Sequence, residues 1–568
     1  MTDLLLGPLL RYQDSTSATI WVEISAPATV EVLGTVTTTF TICKRHYAFV
    51  MVDGLEPDTI YEYEVRIDGD VVWPEPGSVS PPSVIRTEPR SPGDRPDRGS
   101  DRASDRASDR VVKIVVGSCR AAAPHREPYT LESALNEEGR GIDALWAHAE
   151  RMMRAPVESW PDLALMVGDQ IYADDSSPQA RDRIERLRPD ESDLPPEIVA
   201  NYEEYCWLYH ESWSLTSERW FMSTVPSAMI FDDHDMIDDW NISASWIAER
   251  RGESWWREHA IGGLMSYWVY QHLGNMSPAD VRADGMLQQV LQAGDGTSIL
   301  RAWAEAIDAN TEEGVATYRF SHARRVGDID VISIDTRHAR SFSDGRRLMV
   351  DDAEWEWVRE RALATSGHVV LVSPLPVYIA DGLHDFQVWS ERVCEGDWGS
   401  HAAKLGEKLR RSLDLEDWSA FHESYEAFGR LIRDLCERED PPRSIVVASG
   451  DIHYSYAARI PSLDGDRAGV PVWQVVSSPT RNALIPPERG AMRFTLTRAG
   501  RVVGAVLRRL VRAPDTRPRF EIETGPLFAN NLGVIEYGPD EVWLSVEHDV
   551  PDDDGEPQLA EIPRVRLV

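Results

Sequence analysis

The stretch Leu163-Ala164-Leu165-Met166-Val167-Gly168-Asp169-Gln170-Ile171-Tyr172 joins five apolar residues directly to a glycine and an acid. A short apolar run that ends at a turn is typical of a buried strand, and glycine lets the backbone turn tightly after it. The stretch therefore predicts a core strand that presents the Asp169 carboxylate at its carboxyl end, with the phenol of Tyr172 three residues later.

Four other segments repeat this pattern of an apolar run followed by polar residues. They are Val111–Val116 before Gly117-Ser118-Cys119, Ala228–Phe231 before Asp232-Asp233-His234, Val369–Val372 before Ser373-Pro374, and Ile445–Ala448 before Ser449-Gly450-Asp451. Helical candidates lie between the runs, at Ser254–His272, Asp351–Ala364 and Ala420–Glu437. Buried strands that alternate with helices predict a layered α/β domain, in which functional side chains follow the carboxyl ends of strands.

The first 88 residues have a different pattern. Ser17–Ile24 and Tyr61–Ile67 alternate apolar and polar residues, Tyr47–Val52 is a further strand candidate, and Leu55-Glu56-Pro57-Asp58-Thr59 has turn chemistry. The segment resembles a fibronectin type III or immunoglobulin-like module and predicts an all-β domain.

Residues 89–110 contain repeats of Asp-Arg-Ala-Ser and predict a charged linker. They divide the chain into residues 1–88, the linker and an α/β domain at 111–568. We expect the β-domain to be a separable unit.

Composition excludes several classes of protein. A chain of 568 residues is too long for one core, and its formal net charge of −36 disfavours binding to nucleic acid or to an anionic membrane. The start, Met1-Thr2-Asp3-Leu4, lacks a basic segment before an apolar one, and no run reaches ~18 apolar residues. These features predict a cytoplasmic protein without a membrane helix. Five scattered cysteines disfavour a disulfide framework but allow one special thiolate.

The polar residues at the strand ends suit a pair of metal ions. Two ions about 3.5–4 Å apart turn water into hydroxide and neutralise phosphoryl oxygens, and a carboxylate such as Asp169 suits the bridge between them. Thiolate and phenolate, from Cys119 and Tyr172, favour a highly charged ion such as Fe³⁺. The all-oxygen donors Asp233 and Asp451 favour Ca²⁺ or Mg²⁺. The unequal donors predict two different metals.

In chain order, Gly-Ser-Cys at 117–119, GDxIYxD at 168–174, DDHD at 232–235 and GDxHxS at 450–455 resemble the PhoD-type alkaline phosphatase family of calcineurin-like metallophosphatases. The resemblance implies a sandwich of two β-sheets flanked by helices over the α/β domain. It also implies hydrolysis of small phosphomonoesters or phosphodiesters with Fe³⁺ and Ca²⁺, where Mg²⁺, Mn²⁺ or Zn²⁺ are alternatives for the second ion. By the same resemblance, iron would be held by Cys119, Asp169, Tyr172 and His453, and Asp169 would bridge to calcium at Asp233 and Asp451.

Two further residues are expected to act on the substrate. An imidazole at His234 can protonate the leaving alkoxide, and a guanidinium at Arg120 can bind a phosphoryl oxygen. The family's DDHExDNN differs here, because Asp238 and Asp239 replace the two asparagines and make the calcium side more negative.

The family's D-x-W-D-G-Y segment appears as Glu416-Asp417-Trp418-Ser419-Ala420-Phe421. Whether Glu416 or Asp417 reaches a metal stays open at this stage.

Alternatives are a catalytically silent, metal-stabilised binding protein and a metal-dependent nuclease, of which the charge disfavours the second. Taken singly, Cys119, Tyr172 and His453 each have an ordinary structural explanation. Those explanations do not account for every candidate ligand falling at a predicted strand end. The basic amphipathic stretch Arg501–Arg512 is predicted to be a surface element packed on the domain and not a membrane contact.

Overall fold

The computed structural model describes residues 2–90, 110–188, 194, 196–313, 318–461, 469–551 and 557–568. The predicted linker therefore lies outside the described residues except at 89, 90 and 110.

The N-terminal region is built of β-strands. Strands β1–β10 span Leu4–Gln13, Ser17–Ile24, Thr29–Val32, Thr35–Thr38, Phe40–Ile42, Arg45–Asp53, Ile60–Glu62, Val65–Ile67, Asp70–Trp73 and Val84–Arg86. Two four-stranded sheets have the orders β1-β2-β6-β5 and β4-β3-β8-β9, and β7 pairs with β10. The all-β prediction is confirmed. The predicted strand Tyr61–Ile67 is two strands, which join different sheets.

Two seven-stranded sheets form the centre of the α/β domain. Strands β11–β24 span Val112–Gly117, Leu163–Val167, Ser227–Ile230, His322–Val326, Ile329–Ser333, His368–Ser373, Ser444–Ser449, Ser455–Arg459, Val472–Val476, Glu521–Leu527, Asn531–Tyr537, Val542–Pro551, Pro557–Glu561 and Val565–Arg566. One sheet has the order β13-β12-β11-β21-β22-β23, with β24 on β22, and the other is β14-β15-β16-β17-β19-β18-β20. Side chains of both sheets, such as Val116 and Val446, share one apolar core cluster, which confirms the predicted sandwich.

Helices flank these sheets. Helices α1–α15 span Ala144–Met153, Pro178–Leu187, Tyr202–Trp213, Thr216–Thr224, Ala244–Arg251, Trp256–Tyr270, Pro278–Asp284, Met286–Ala293, Thr297–Glu313, Asp352–Leu363, Asp381–Cys394, Ser400–Ser412, His422–Glu437, Pro486–Thr495 and Arg498–Leu510. The three predicted helices correspond to α6, α10 and α13. Among the helices of the described segments, none has the length and apolar character needed to cross a bilayer.

The β-domain shares its core with the α/β domain. The ring of Trp21 lies 5.2 Å from that of Tyr270, and both belong to one continuous apolar cluster. Buried polar contacts add to this packing, because Arg11 donates to the Tyr270 carbonyl at 2.5 Å and Tyr63 to the Ser223 carbonyl at 2.6 Å. Separating the β-domain would therefore expose this shared core to water. The division of the chain into separable units stays a prediction.

Candidate metal centre

The predicted ligands lie at one edge of both sheets. Cys119 follows β11, Asp169 follows β12 and Asp233 follows β13, and these three strands run parallel. Asp451 and His453 follow β17 of the other sheet. Because the carboxyl ends of parallel strands meet at one edge, residues more than 300 positions apart in sequence become neighbours.

The backbone at these ligands is strained. Cys119, Asp169, Asp451 and His453 have φ between 49° and 64°, in the left-handed region that residues with a Cβ rarely adopt. Such conformations persist only where surrounding structure enforces them, and they cluster at functional sites. Four of the six predicted ligands share this feature.

The first group of donors contains the residues assigned to iron. The Cys119 Sγ, a carboxylate oxygen of Asp169 and a ring nitrogen of His453 all lie within 4.8 Å of one another. The Tyr172 hydroxyl is 3.5 Å from Asp169 Oδ2. The structure therefore brings the four side chains together at a spacing that one metal ion can bridge.

The electrostatics of this group fit a cation. Asp169 is 1% exposed, and its Oδ1 has no hydrogen-bond partner among the described residues. Burial, with the charges of neighbouring acids, raises the pKa of Cys119, Asp169 and Tyr172 well above their usual ranges. A bound cation would favour the anionic forms and satisfy the orphaned oxygen. Burial lowers the pKa of His453 to about 4, which keeps its imidazole neutral and able to ligate.

The second group is made of carboxylates. Oxygens of Asp169, Asp232 and Asp233 lie within 4.8 Å of one another. Asp451 adjoins them, because one nitrogen of Arg337 is 3.2 Å from Asp233 and 3.4 Å from Asp451. The group suits a hard cation such as Ca²⁺ or Mg²⁺.

The structure distinguishes Glu416 from Asp417. Glu416 faces the second group, where it pairs with Arg337 and, at 2.8 Å, with Arg340. Asp417 instead accepts a hydrogen bond of 2.6 Å from Gln387. Glu416 is therefore the acid of this segment that borders the site.

Arg337 lies at the centre and was not predicted from the sequence. Its side chain is fully buried and pairs with Asp232, Asp233, Glu416 and Asp451. It follows β15, and the Asp335 carboxylate accepts the backbone N–H of Arg337 at 2.9 Å and so holds the loop. The sequence signal for it is Asp335-Thr336-Arg337, which follows the strand-like stretch Ile329-Asp330-Val331-Ile332-Ser333-Ile334.

Replacing Arg337 should destabilise the protein. In Arg337→Met, Asp232 and Glu416 stay buried and lose a charged partner, a change that typically costs about 3–5 kcal/mol. We expect that loss in the free energy of unfolding of metal-free protein, measured by urea denaturation. The control Arg359→Met removes a guanidinium that is 41% exposed, and it should cost less than about 1 kcal/mol. Equal losses in the two variants would contradict the central role of Arg337.

His234 lies beside both groups of donors. Its Nδ1 is 2.8 Å from Asp174 Oδ1, and its ring centroid is 4.5 Å from that of Tyr172. Burial opposes the charged imidazolium, but Asp174 and Asp233 outweigh it and raise the pKa of His234 well above its usual range. A protonated imidazole at this position can donate a proton, as the sequence predicted. Asp174, which orients it, was not singled out, although it is the last acid of GDxIYxD.

The structure engages Arg120 with buried partners rather than leaving it free for a phosphoryl oxygen. Its guanidinium is buried and donates to Asp143 at 2.8 Å, to the Ser212 carbonyl at 2.6 Å and to Glu218. Each of its three nitrogens is thereby engaged. Adjacency in sequence to Cys119 was misleading, because the two side chains of successive residues at a strand end point in different directions.

Two polar residues after β19 complete the first group. Ser478 donates to the Cys119 sulfur at 3.2 Å, and the Asn482 amide donates to the Tyr172 hydroxyl at 3.0 Å. Donors of this kind orient ligands and stabilise their anionic forms.

A cleft of about 210 Å³ opens beside Tyr172. Its walls include Arg140, Arg181 and Glu211, so helices α2 and α3 contribute to it. The residue that follows α8 contacts the β-domain, where the backbone N–H of Thr41 donates to the Gly294 carbonyl at 2.9 Å.

Two facing β-sheets with thiol, phenol, imidazole and carboxylate donors at one edge define a candidate metal centre. The model of PhoD-like phosphatases matches residues 144–504, and the chain belongs to that family of metal-dependent phosphoester hydrolases. The match includes Asp169, Tyr172, Asp233, Asp451 and His453, whereas Cys119 lies before it. A domain of unknown function matches residues 1–85.

Among solved structures, the one described as the structure of PhoD matches with a TM-score of 0.56 at 12% identity. It covers 99% of this chain and 89% of that one, and it supports the fold alone. A maltogenic amylase from S. marinus matches at 9% identity over 98% of this chain and 80% of that one. Its TM-score of 0.18 carries no argument. No match was found among curated proteins.

Proposed function

We propose that the chain hydrolyses small phosphomonoesters or phosphodiesters at a centre of two unlike metal ions. The observation that carries this proposal is the buried Asp169, which belongs to both groups of donors and whose Oδ1 has no hydrogen-bond partner among the described residues. Cys119, Asp169, Tyr172 and His453 would hold Fe³⁺, and Asp169, Asp233 and Asp451 would hold Ca²⁺. Metal ions at these positions would supply charge neutralisation at phosphoryl oxygens and lower the pKa of water.

The protein's own residues would position the carboxylate ligands and protonate the leaving group. His234 is held by Asp174 with its raised pKa, which suits a general acid for the leaving alkoxide. Arg337 would hold the carboxylates Asp233 and Asp451 in place and offset part of their mutual repulsion. The positioned acid favours an enzyme over a silent binding protein, since metal binding alone does not need it.

Colour provides the test of the iron assignment. Phenolate and thiolate bound to Fe³⁺ absorb visible light by charge transfer, so the purified iron-loaded protein should be coloured. Tyr172→Phe should lose or strongly shift the band, and Cys119→Ser should shift it. Tyr456→Phe, a buried tyrosine that donates to the Tyr378 carbonyl, is the matched control and should keep the spectrum. A colourless, iron-free and fully active enzyme would refute iron while leaving the two-metal proposal standing.

A further inference from the structure

Helix α15 turns its apolar stripe toward solvent. Val502, Val503, Val506 and Leu510 are 64%, 48%, 48% and 57% exposed, respectively. These positions recur at the spacing of one helix face. In most surface helices of globular proteins such a stripe faces the core, so the orientation here is inverted.

Packing on α11 fixes this orientation. The buried face of α15 consists of Gly500, Gly504 and Arg508. A Cβ at Gly504 would lie 2.9 Å from the Gly382 carbonyl oxygen, so only glycine permits this approach. Arg508 pairs with the buried Asp385 at 2.8 Å. Rolling the stripe inward would break this ion pair and push valines against backbone, so the outward stripe is built into the fold.

The preceding helix extends the apolar surface. Phe494, near the end of α14, is 49% exposed, and Ile485, just before that helix, is 45% exposed. Together with the four residues of α15, they place six large exposed apolar side chains within 26 residues. Clustering of this kind on a soluble domain marks an interaction surface.

The same segment is basic, although the chain as a whole is acidic. Residues 485–512 contain seven arginines and one acid, Glu488, in a protein of net charge −36. Arg508 and Arg501 face acids of α11, the latter at 3.5 Å from Asp381. Arg498 and Arg509 are exposed and flank the apolar stripe along the helix. Arginines beside an aliphatic stripe are typical of helices that lie in a membrane interface, where the guanidinium meets headgroup phosphates.

We propose that α14 and α15 bind the surface of a lipid bilayer that contains anionic lipids, with the valine stripe at the level of the acyl chains. The partner's chemistry is indicated by the charge, since a second copy of this face would bring the exposed Arg498 and Arg509 against a surface of the same charge. Nucleic acid would neutralise the charge of the arginines, but it would offer no apolar surface to the exposed valines. The proposal differs from the expectation that Arg501–Arg512 makes no membrane contact, and it does not depend on the proposed enzymatic activity.

The test is co-sedimentation of the full chain with vesicles. We expect the protein to pellet with phosphatidylcholine vesicles that also contain phosphatidylglycerol, to stay in solution with phosphatidylcholine alone, and to be released by salt. Val502→Asp/Val506→Asp and Arg498→Glu/Arg509→Glu should each weaken binding by about tenfold or more. The matched controls Val36→Asp/Val79→Asp and Arg154→Glu/Arg430→Glu change exposed side chains elsewhere and should bind like wild type.

Three outcomes would overturn the proposal. One is wild-type protein that stays in solution with both kinds of vesicle. Another is binding that the valine and arginine variants leave unchanged. The third is a dimer, seen by light scattering, that Val502→Asp/Val506→Asp dissociates while vesicles fail to bind, which would assign the face to a second copy. Circular dichroism and urea unfolding of each variant show that a loss of binding is not a loss of fold.

Discussion

Asp169→Asn is expected to lose bound metal and turnover together. The carboxylate is shared by both groups of donors, and its Oδ1 has no other partner among the described residues. An amide cannot supply the negative charge that two cations share. Loss of an outer-shell partner alone typically costs about 10–100-fold in metal affinity, so loss of the bridge should exceed that range. Elemental analysis and phosphoester turnover of the same preparation provide the measurement.

The matched control is Asp182→Asn, which makes the same change at an exposed position of α2. It should keep the metal content and rate of wild type. If Asp169→Asn retains both ions and most of its rate, the carboxylate does not bridge the two metals. The assignment of Asp169 as the shared ligand would then be wrong.

His234→Ala is expected to keep its metals and lose rate. General acid catalysis is typically worth about 10²–10⁴-fold, and the loss should be larger for esters with poor leaving groups, which need a proton most. Nitrophenyl esters, whose leaving group departs readily, should show a smaller loss than alkyl esters. The loss of rate is compared between the two ester types on protein of known metal content. This comparison shows whether His234 acts as a general acid or as a metal ligand.

Asp174→Asn and His401→Ala serve as controls for that experiment. Asp174→Asn removes the negative charge beside His234 Nδ1 and should lower the pKa of His234, which moves the alkaline limb of the pH–rate profile to lower pH. His401→Ala changes an exposed histidine on α12 and should leave rate and profile unchanged. Loss of metal in His234→Ala would make His234 a ligand, and unchanged rate would exclude it as the acid.

The fold could be predicted from the sequence because strands and their ends leave local patterns. Each apolar run that ends in polar residues, such as Leu163–Val167 before Asp169, indicates a strand and the side chains at its carboxyl end. These runs matched observed strands to within one residue at each end. The strand-end pattern indicated where Cys119, Asp169, Asp233 and Asp451 lie in the fold, whereas the division of the ligands between two metals came from the family resemblance.

Residues whose role depends on tertiary contacts were harder to predict. The role of Arg337 depends on four acids from distant parts of the chain. The contacts of Arg120 are made with buried partners that its neighbours in sequence do not reveal. The outward stripe of α15 was missed for a related reason. Periodicity shows that a helix is amphipathic, but only the glycines packed on α11 decide which face turns inward.

Reconstitution of metal-free protein tests most directly whether turnover requires two unlike metal ions. Protein stripped by a chelator is assayed with a chromogenic phosphomonoester and a phosphodiester while Fe³⁺ and Ca²⁺ are added back, singly and together. The account predicts no turnover without metal, little with either ion alone, and full turnover when both are bound. Equal turnover by the metal-free protein, or none by protein shown to hold both ions, would contradict it.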